Sequence, residues 1–262
     1  MFKYLIFDLD GTLLDSKKQI SNSSLNAINL IRQKRKETCI ILCSGRHFRE
    51  ILPYSHILSL RDNDKVISSD GLYVNNAITG RIIWHGSYLT QTDVASVFKL
   101  TKTKCVSIFT NEHDYVFTNR KMIYFKYKIL LAIGKTRAIP LMDINTLPNN
   151  IEKLIVHGKN FAGLQNSIHE INESTEMLAS GISKYNALLQ LERQKQINLS
   201  QSIYFGDDMN DLECFENLQY TVAMENANSI IREKALYITN SNNSDGISKA
   251  LMHYFPEIFS QN

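Results

Sequence analysis

The residues best able to do chemistry are five aspartates that follow two short apolar segments. Asp8 and Asp10 come after the first segment, and Asp207, Asp208 and Asp211 come after the second. Side chains two residues apart in an extended segment leave the same face, so Asp8 and Asp10 can flank one reacting group. A carboxylate can attack phosphorus, and water can release the resulting acyl phosphate. The first pair therefore points to phosphoryl transfer.

Such a concentration of carboxylates is costly unless a cation offsets its charge. The side chains offer only oxygen ligands, which favours Mg²⁺ over zinc. The acids at 207–211, taken alone, also fit a solvated helix start, since acids favour the first turn of a helix. Asp208 fits that simpler role.

Phosphoryl oxygens need hydrogen-bond donors and positive charge in the transition state. Ser44, Lys184 and backbone amides can supply them. Lys184 opens an apparent helix that carries Ala187, Leu188 and Leu191 at helical spacing, so its ammonium and the helix N-terminus can face one anion. Taken alone, Ser44 belongs to an ordinary turn and Lys184 is an ordinary surface lysine.

The elements around these residues follow an alternating pattern of strands and helices. Apolar runs predict strands at residues 5–7, 39–43 and 65–68 and again at 203–205, 221–224 and 236–239, and an amphipathic helix follows Ser21. This order predicts a doubly wound, Rossmann-like parallel sheet in an α/β fold, and ligands of such sheets bind beyond the carboxyl ends of the strands. The polar clusters should therefore converge.

The middle of the chain has a different texture, with alternating polar and apolar residues at 105–109 and 114–117. Alternation predicts half-exposed antiparallel strands. We therefore expect a catalytic core made of residues 1–80 and 182–262, with an inserted α+β domain at 81–181. Residues 121–128 mix basic and aromatic side chains, which favours an amphipathic helix over a nucleotide- or RNA-binding segment.

Composition excludes several classes of protein. The net charge of +3 over 262 residues does not indicate an obligate nucleic-acid partner. The four cysteines lack the paired spacing of a zinc site, and no apolar stretch approaches the length that spans a membrane. We expect a cytoplasmic protein with no membrane or nucleic-acid partner.

Four short motifs occur in an order that resembles the haloacid dehalogenase superfamily. They are DLDGTLL at 8–14, SGR at 44–46, Lys184, and GDDMND at 206–211. The segments VAMENA at 222–227 and DGI at 245–247 are similar to the Cof-type branch, class IIB, and the resemblance covers essentially the whole chain. The gap from Asp10 to Ser44 is too short for a folded domain, whereas Ser44 to Lys184 has ample room, so the inserted domain fits a C2B-type cap that would govern specificity.

The resemblance implies a role for each acid. Asp8 would be the nucleophile and a magnesium ligand, and Asp10 would act as general acid and base while its backbone carbonyl binds the metal. Asp207 would be the other direct ligand, and Asp211 would support the metal site. To act as an acid near neutrality, Asp10 needs a raised pKa, for which proximity to Asp8 is a plausible cause that the metal opposes.

The resemblance also implies a set of residues that bind the phosphoryl group or substrate, in which Lys184 neutralises charge. The members of this set are Leu9, Ser44, Gly45, Lys184 and Asn210.

Two positions depart from the family pattern, and a third, Arg46, has an open role. Asp70 stands where the Cof-type pattern has asparagine, and it should disfavour an anionic substrate group nearby. Tyr185 replaces a common glycine, and its bulk would narrow access to the site. For Arg46, a contact with the cap and a surface role are equally compatible with the sequence.

The preferred function is Mg²⁺-dependent hydrolysis of a small phosphorylated metabolite, such as a sugar phosphate, by a monomer or weak homo-oligomer. Flavin and pyridoxal phosphates are also substrate classes that similar enzymes can hydrolyse. The alternatives are a phosphomutase, which shares the aspartyl-phosphate step, and a non-catalytic metabolite-binding protein that keeps the fold.

Overall fold

The computed structural model describes residues 2–101, 103–110, 112–157, 167–171 and 174–260. The chain divides into two compact units, Met1–His85 with Ser183–Asn262, and Gly86–Ile182. The strands of the described residues, in chain order, are β1 (Tyr4–Phe7), β2 (Cys39–Cys43), β3 (Lys65–Ser68), β4 (Tyr73–Asn76), β5 (Ile82–His85), β6 (Cys105–Thr110), β7 (Asp114–Thr118), β8 (Ile139–Leu141), β9 (Ile151–His157), β10 (Ser167–Ile171), β11 (Ser174–Leu178), β12 (Ser202–Gly206), β13 (Thr221–Ala223) and β14 (Tyr237–Ile238).

The first unit is built on an eight-stranded sheet in the order β14-β13-β12-β1-β2-β3-β4-β5. The six strands from β14 to β3 are parallel, while β4 and β5 add antiparallel pairs at one edge. The predicted α/β fold with a parallel sheet is confirmed. The helices are α1 (Asn22–Lys34), α2 (Phe48–Ile57), α3 (Gln91–Thr101), α4 (Lys121–Ala132), α5 (Lys184–Arg193), α6 (Leu212–Asn217), α7 (Ser229–Lys234), α8 (Gly246–Tyr254) and α9 (Pro256–Phe259).

Strand β1 shows why this sheet is covered on both faces. All four of its residues are buried, and they alternate between two apolar clusters. Leu5 packs in the cluster that contains Ile28 of α1, and Ile6 packs in the cluster that contains Leu188 of α5. A strand buried on both faces reads as a continuous apolar run, which is how the sequence revealed it.

The boundary of the first unit differs from the one expected at residue 80. Residues 82–85 form β5, which pairs antiparallel with β4 in the core sheet. Its side chains are exposed or half-buried, unlike those of the fully buried strands β1 and β2. Pairing with the sheet edge places it in the first unit.

The second unit contains a six-stranded sheet in the order β10-β11-β9-β6-β7-β8. The predicted strands at 105–109 and 114–117 are present as the antiparallel pair β6 and β7. The stretch 121–128 lies in α4, which contains no buried residue and exposes Met122, Phe125 and Ile129. Among the described residues, no helix is long and apolar enough to span a membrane.

Candidate active site

Three neighbouring strands bring the predicted site residues to one edge of the core sheet. Strands β12, β1 and β2 are adjacent and parallel, so Asp207, Asp8 and Ser44 follow their carboxyl ends side by side. The backbone amide of Asp8 donates to the carbonyl of Phe205 at 2.9 Å, which extends the pairing of β1 with β12 to the site itself. The expected convergence of these residues is therefore present.

A buried lysine lies between two aspartates at the centre of this edge. Lys184 Nζ is 2.7 Å from Asp8 Oδ1 and 2.6 Å from Asp211 Oδ1, and the lysine side chain is fully buried. Burial lowers the pKa of Lys184, but Asp211 and Asp8 outweigh it and raise the pKa well above its usual range. Lys184 is therefore held as a cation. It is the first residue of α5, whose N-cap is Ser183.

Asp211 has its carboxylate engaged entirely within the protein. Oδ1 accepts from Lys184 and from the hydroxyl of Tyr204 at 2.6 Å, and Oδ2 accepts from the backbone amides of Asp207 at 2.9 Å and Asp208 at 3.2 Å. Lys184 and Tyr204 thus hold the carboxylate in place, and its bonds to the two amides orient the turn that carries Asp207. Sequence reasoning missed Tyr204, although a hydroxyl inside an apolar strand that ends at the site is the signal that identifies it.

Asp207 is held by the loop that follows β1. Thr12 Oγ1 donates to Asp207 Oδ1 at 2.7 Å. Gly11 has φ +81°, and a Cβ at that position would lie 2.1 Å from Asp207 Oδ2, so only glycine allows this close approach. Burial first, and the charge of Asp211 second, raise the pKa of Asp207 to about 7.

The aspartates at this edge fit a divalent cation. Asp8, Asp207 and Asp211 each offer an oxygen, and these atoms lie within 4.8 Å of one another. Burial, together with the charges of Asp211 and Asp207, raises the pKa of Asp8 well above its usual value despite the opposing charge of Lys184. A hard cation relieves this crowding of carboxylates. Because Asp211 already accepts four hydrogen bonds, Asp8 and Asp207 are better placed to bind such an ion directly.

Asp10 differs from the expectation of a raised pKa. Arg46 grips both of its carboxylate oxygens at 2.6 Å, and Lys18 Nζ lies 2.6 Å from Oδ1. Burial raises the pKa of Asp10, but the hydrogen bonds from Arg46 and Lys18 outweigh burial and leave it below its ordinary value. Two cations beside Asp10 thus override the effect of its burial. For Arg46, the structure shows an ion pair with Asp10, a contact that the sequence did not suggest.

The remaining predicted residues surround this centre. Ser44 is buried, and its hydroxyl accepts from the backbone amide of Arg46 at 3.2 Å. Leu9 has a fully buried side chain, so only its backbone can serve a ligand. Asn210 Nδ2 donates to Asp70 Oδ1 at 2.9 Å. Tyr185 packs partly buried against the cluster that contains Leu188.

Comparison with known proteins gives consistent matches over nearly the whole chain. Residues 5–251 match the family described as haloacid dehalogenase-like hydrolase. The chain is 26% identical over 282 residues to 5-amino-6-(5-phospho-D-ribitylamino)uracil phosphatase YbjI of Escherichia coli, covering 97% of this chain and 98% of that protein.

Solved structures of other proteins share the fold of this chain. The phosphatase BT1666 of Bacteroides thetaiotaomicron aligns with a TM-score of 0.78 at 22% identity, covering 97% of this chain and 95% of that one. The subclass IIB sugar phosphatase BT4131 aligns with a TM-score of 0.74 at 22% identity, covering 96% of this chain and 98% of that one.

Proposed function

Because this chain belongs to the haloacid dehalogenase-like hydrolases, as a phosphatase of the Cof-type branch, we propose that it hydrolyses a small phosphorylated metabolite with Mg²⁺ through an aspartyl phosphate. The observation that carries this proposal is the buried contact of Lys184 with Asp8, at a sheet edge that Asp207 shares. An oxygen of Asp8 attacks phosphorus, the ester oxygen leaves, and water then cleaves the acyl phosphate. The products are inorganic phosphate and the alcohol.

Asp8 is suited to the nucleophilic role because Lys184 and the backbone pairing of β1 with β12 limit the movement of its carboxylate. Lys184 holds one carboxylate oxygen at 2.7 Å, which leaves the second oxygen for the phosphorus. Lys184 also offsets the negative charge that gathers when two anions approach each other. The fixed backbone at Asp8, which extends the β1–β12 pairing, keeps the nucleophile from moving away.

Asp10 serves as the proton carrier in this proposal. It protonates the leaving oxygen and afterwards takes a proton from the attacking water. Its lowered pKa keeps the carboxyl group ionised, which is the form that accepts a proton in the second step. For the first step, an anionic phosphoryl group that attracts Arg46 and Lys18 would weaken their hold on Asp10 and allow its pKa to rise.

Asp8, Asp207 and the backbone carbonyl of Asp10 would hold Mg²⁺, with Asp211 supporting the site through the turn that it orients. The ion supplies charge stabilisation for the transferring phosphoryl group. Five residues would bind the phosphoryl oxygens, with Leu9 contributing through its backbone. They are Leu9, Ser44, Gly45, Lys184 and Asn210.

We take a sugar phosphate or a similar phosphomonoester as the substrate, and the second unit, Gly86–Ile182, as the cap domain that selects it. One relative is named for a phosphorylated ribitylamino-uracil and one structural neighbour for a sugar phosphate. Both substrates combine a phosphomonoester with a polyhydroxylated carbon chain, which supports this class as the first to test.

The experiment is a panel of sugar, ribitylamino-uracil, nucleotide, flavin and pyridoxal phosphates, assayed for phosphate release with and without Mg²⁺. Turnover that needs Mg²⁺ and falls on one compound class supports the proposal and names the substrate. Recovery of an isomeric phosphate ester instead of inorganic phosphate would favour a mutase. Binding of a compound without turnover, by folded protein across several metals, would favour a metabolite-binding protein.

A further inference from the structure

Asp70 follows the end of β3 and ties together two loops of the candidate active site. Its backbone amide donates to the carbonyl of Ser44 at 3.1 Å, and the amide of Ser69 donates to the carbonyl of Arg46 at 2.9 Å. Asp70 has φ 55° and ψ 29°, a left-handed conformation that aspartate and asparagine tolerate better than most residues. The backbone therefore accepts either of these two residues at position 70.

The side chain of Asp70 reaches a third loop. Its Oδ1 accepts from Asn210 Nδ2 at 2.9 Å, and the aspartate is 2% exposed. A primary amide has two N–H donors, so this bond fixes the carboxamide plane of Asn210 and leaves one N–H for another acceptor. Asn210 is thereby oriented before any substrate arrives.

The same carboxylate lies directly against the loop that follows β2. A Cβ on Gly45 would lie 2.8 Å from both carboxylate oxygens of Asp70, so glycine at position 45 is what allows this contact. Gly45 and Asn210 both belong to the proposed phosphoryl cradle. A negative charge beside both of them opposes the binding of another anion.

Resting on the proposed function, we propose that Asp70 is a positioning residue that holds Asn210 in place and at the same time weakens the binding of free phosphate. The first effect favours the chemical step, because a donor fixed in advance costs no reorganisation. The second effect speeds loss of the inorganic phosphate product. The Asp70 side chain thus raises the rate of turnover and lowers the affinity for free phosphate.

The substitution Asp70→Asn separates the two effects, because it removes the charge and keeps the shape, the backbone conformation and an oxygen that can accept from Asn210. Asp70→Ala removes both the charge and the acceptor. Asp62→Asn is the matched control: Asp62 accepts from Asn76 Nδ2 at 2.8 Å in the same kind of contact, but it precedes β3 and so lies at the opposite end of that strand.

Inorganic phosphate binding is measured by calorimetry with Mg²⁺ for each protein, beside kcat and KM on a substrate of the wild type. We expect Asp70→Asn to bind phosphate about three- to tenfold more tightly than the wild type, by removal of one nearby like charge. Asp70→Ala should lose about tenfold in kcat, the effect of freeing one hydrogen-bonded donor. Asp62→Asn should match the wild type in both measurements.

Phosphate affinity of Asp70→Asn equal to that of the wild type would overturn the charge effect, and wild-type kcat in Asp70→Ala would overturn the positioning effect. An equal gain in affinity in Asp62→Asn would show that net charge alone is responsible, which also overturns the proposal. If the wild type neither binds nor releases phosphate, the proposed function itself fails. Activity in the wild type, together with either of the two negative results for the Asp70 variants, leaves that function standing and removes only this inference.

Discussion

The protonation states of the candidate active-site residues depend on their hydrogen-bond partners as much as on their positions along the chain. The order and types of Asp8, Asp207 and Lys184 could be predicted from the sequence, because strand ends and a helix start are visible in the pattern. The partners of Asp10 could not, since Arg46 and Lys18 lie on separate loops whose side-chain directions no periodicity fixes. The sequence therefore predicts which residues come together, and the hydrogen bonds in the structure indicate which protonation state each of them favours.

The raised pKa of Asp207 gives a pH dependence with a defined sign. A carboxyl whose folded pKa is raised contributes stability below its unfolded pKa, and that contribution is lost as pH rises through the folded value of about 7. Without metal, wild-type melting temperature relative to Asp207→Asn should therefore fall from acidic to neutral pH. Stabilisation by Mg²⁺ should increase from acidic to neutral pH, because protons compete with the metal for the carboxylate. We expect metal binding to be about tenfold or more weaker near pH 5.5 than near pH 8.

Thermal unfolding of both proteins, with and without Mg²⁺ across this pH range, makes the measurement. An Mg²⁺ effect of equal size at both ends of the range would contradict the assignment of Asp207 as a ligand.

Tyr204 offers a second test at the residue scale. Tyr204→Phe removes the hydroxyl that donates to Asp211 at 2.6 Å and keeps the ring that packs edge-on against Phe215. A buried hydrogen bond to a charged group contributes about 1.5–3 kcal/mol, so a loss of that size in unfolding free energy is expected. Urea unfolding checks it, with Tyr220→Phe on an exposed hydroxyl contact as the control. Losses of equal size in both variants would show that the contact with Asp211 is unimportant.

At the scale of elements, helix α5 positions Lys184 through its N-terminus. Ser183 Oγ accepts from the backbone amide of Asn186 at 3.2 Å and so caps the helix. The start of α5 was predicted from Lys184 and the apolar spacing behind it, and buried Ala187, Leu188 and Leu191 confirm that spacing. Strand β5 could not be assigned to its sheet in the same way, because a four-residue, half-exposed strand has no pattern that selects one sheet edge over another.

Loss of the N-cap residue Ser183 should destabilise helix α5, which begins at Lys184. Ser183→Ala is expected to lower the unfolding free energy by about 0.5–2 kcal/mol, the usual cost of removing a serine N-cap. Chemical denaturation measures the change. The control is Ser229→Ala, at an exposed serine in the first turn of α7, where a change within about 0.5 kcal/mol is expected. A Ser183→Ala protein as stable as the control would show that the cap contributes little.

At the scale of the molecule, the residues of the candidate active site lie at one edge of the core sheet, and a second α+β unit is inserted into the chain of the first. The insertion was visible in the sequence as a change from continuous apolar runs to alternation, since sheets covered on both faces and sheets covered on one face have different patterns. Substrate choice was not visible, because it depends on side chains in loops, which follow neither period. The family resemblance supplied the reaction class, and the core geometry supports it.

The most direct test of the central claim is to look for phosphate on Asp8. Wild type, Asp8→Asn and Asp10→Asn are mixed with substrate and Mg²⁺, quenched in acid and digested, and the peptides are examined by mass spectrometry while phosphate release is followed in parallel. We predict one phosphoryl group on the peptide that contains Asp8, accumulating in Asp10→Asn, and a loss of turnover of about 10³-fold or more in Asp8→Asn. Wild-type turnover in Asp8→Asn, or a phosphoryl group on a different residue, would contradict the account.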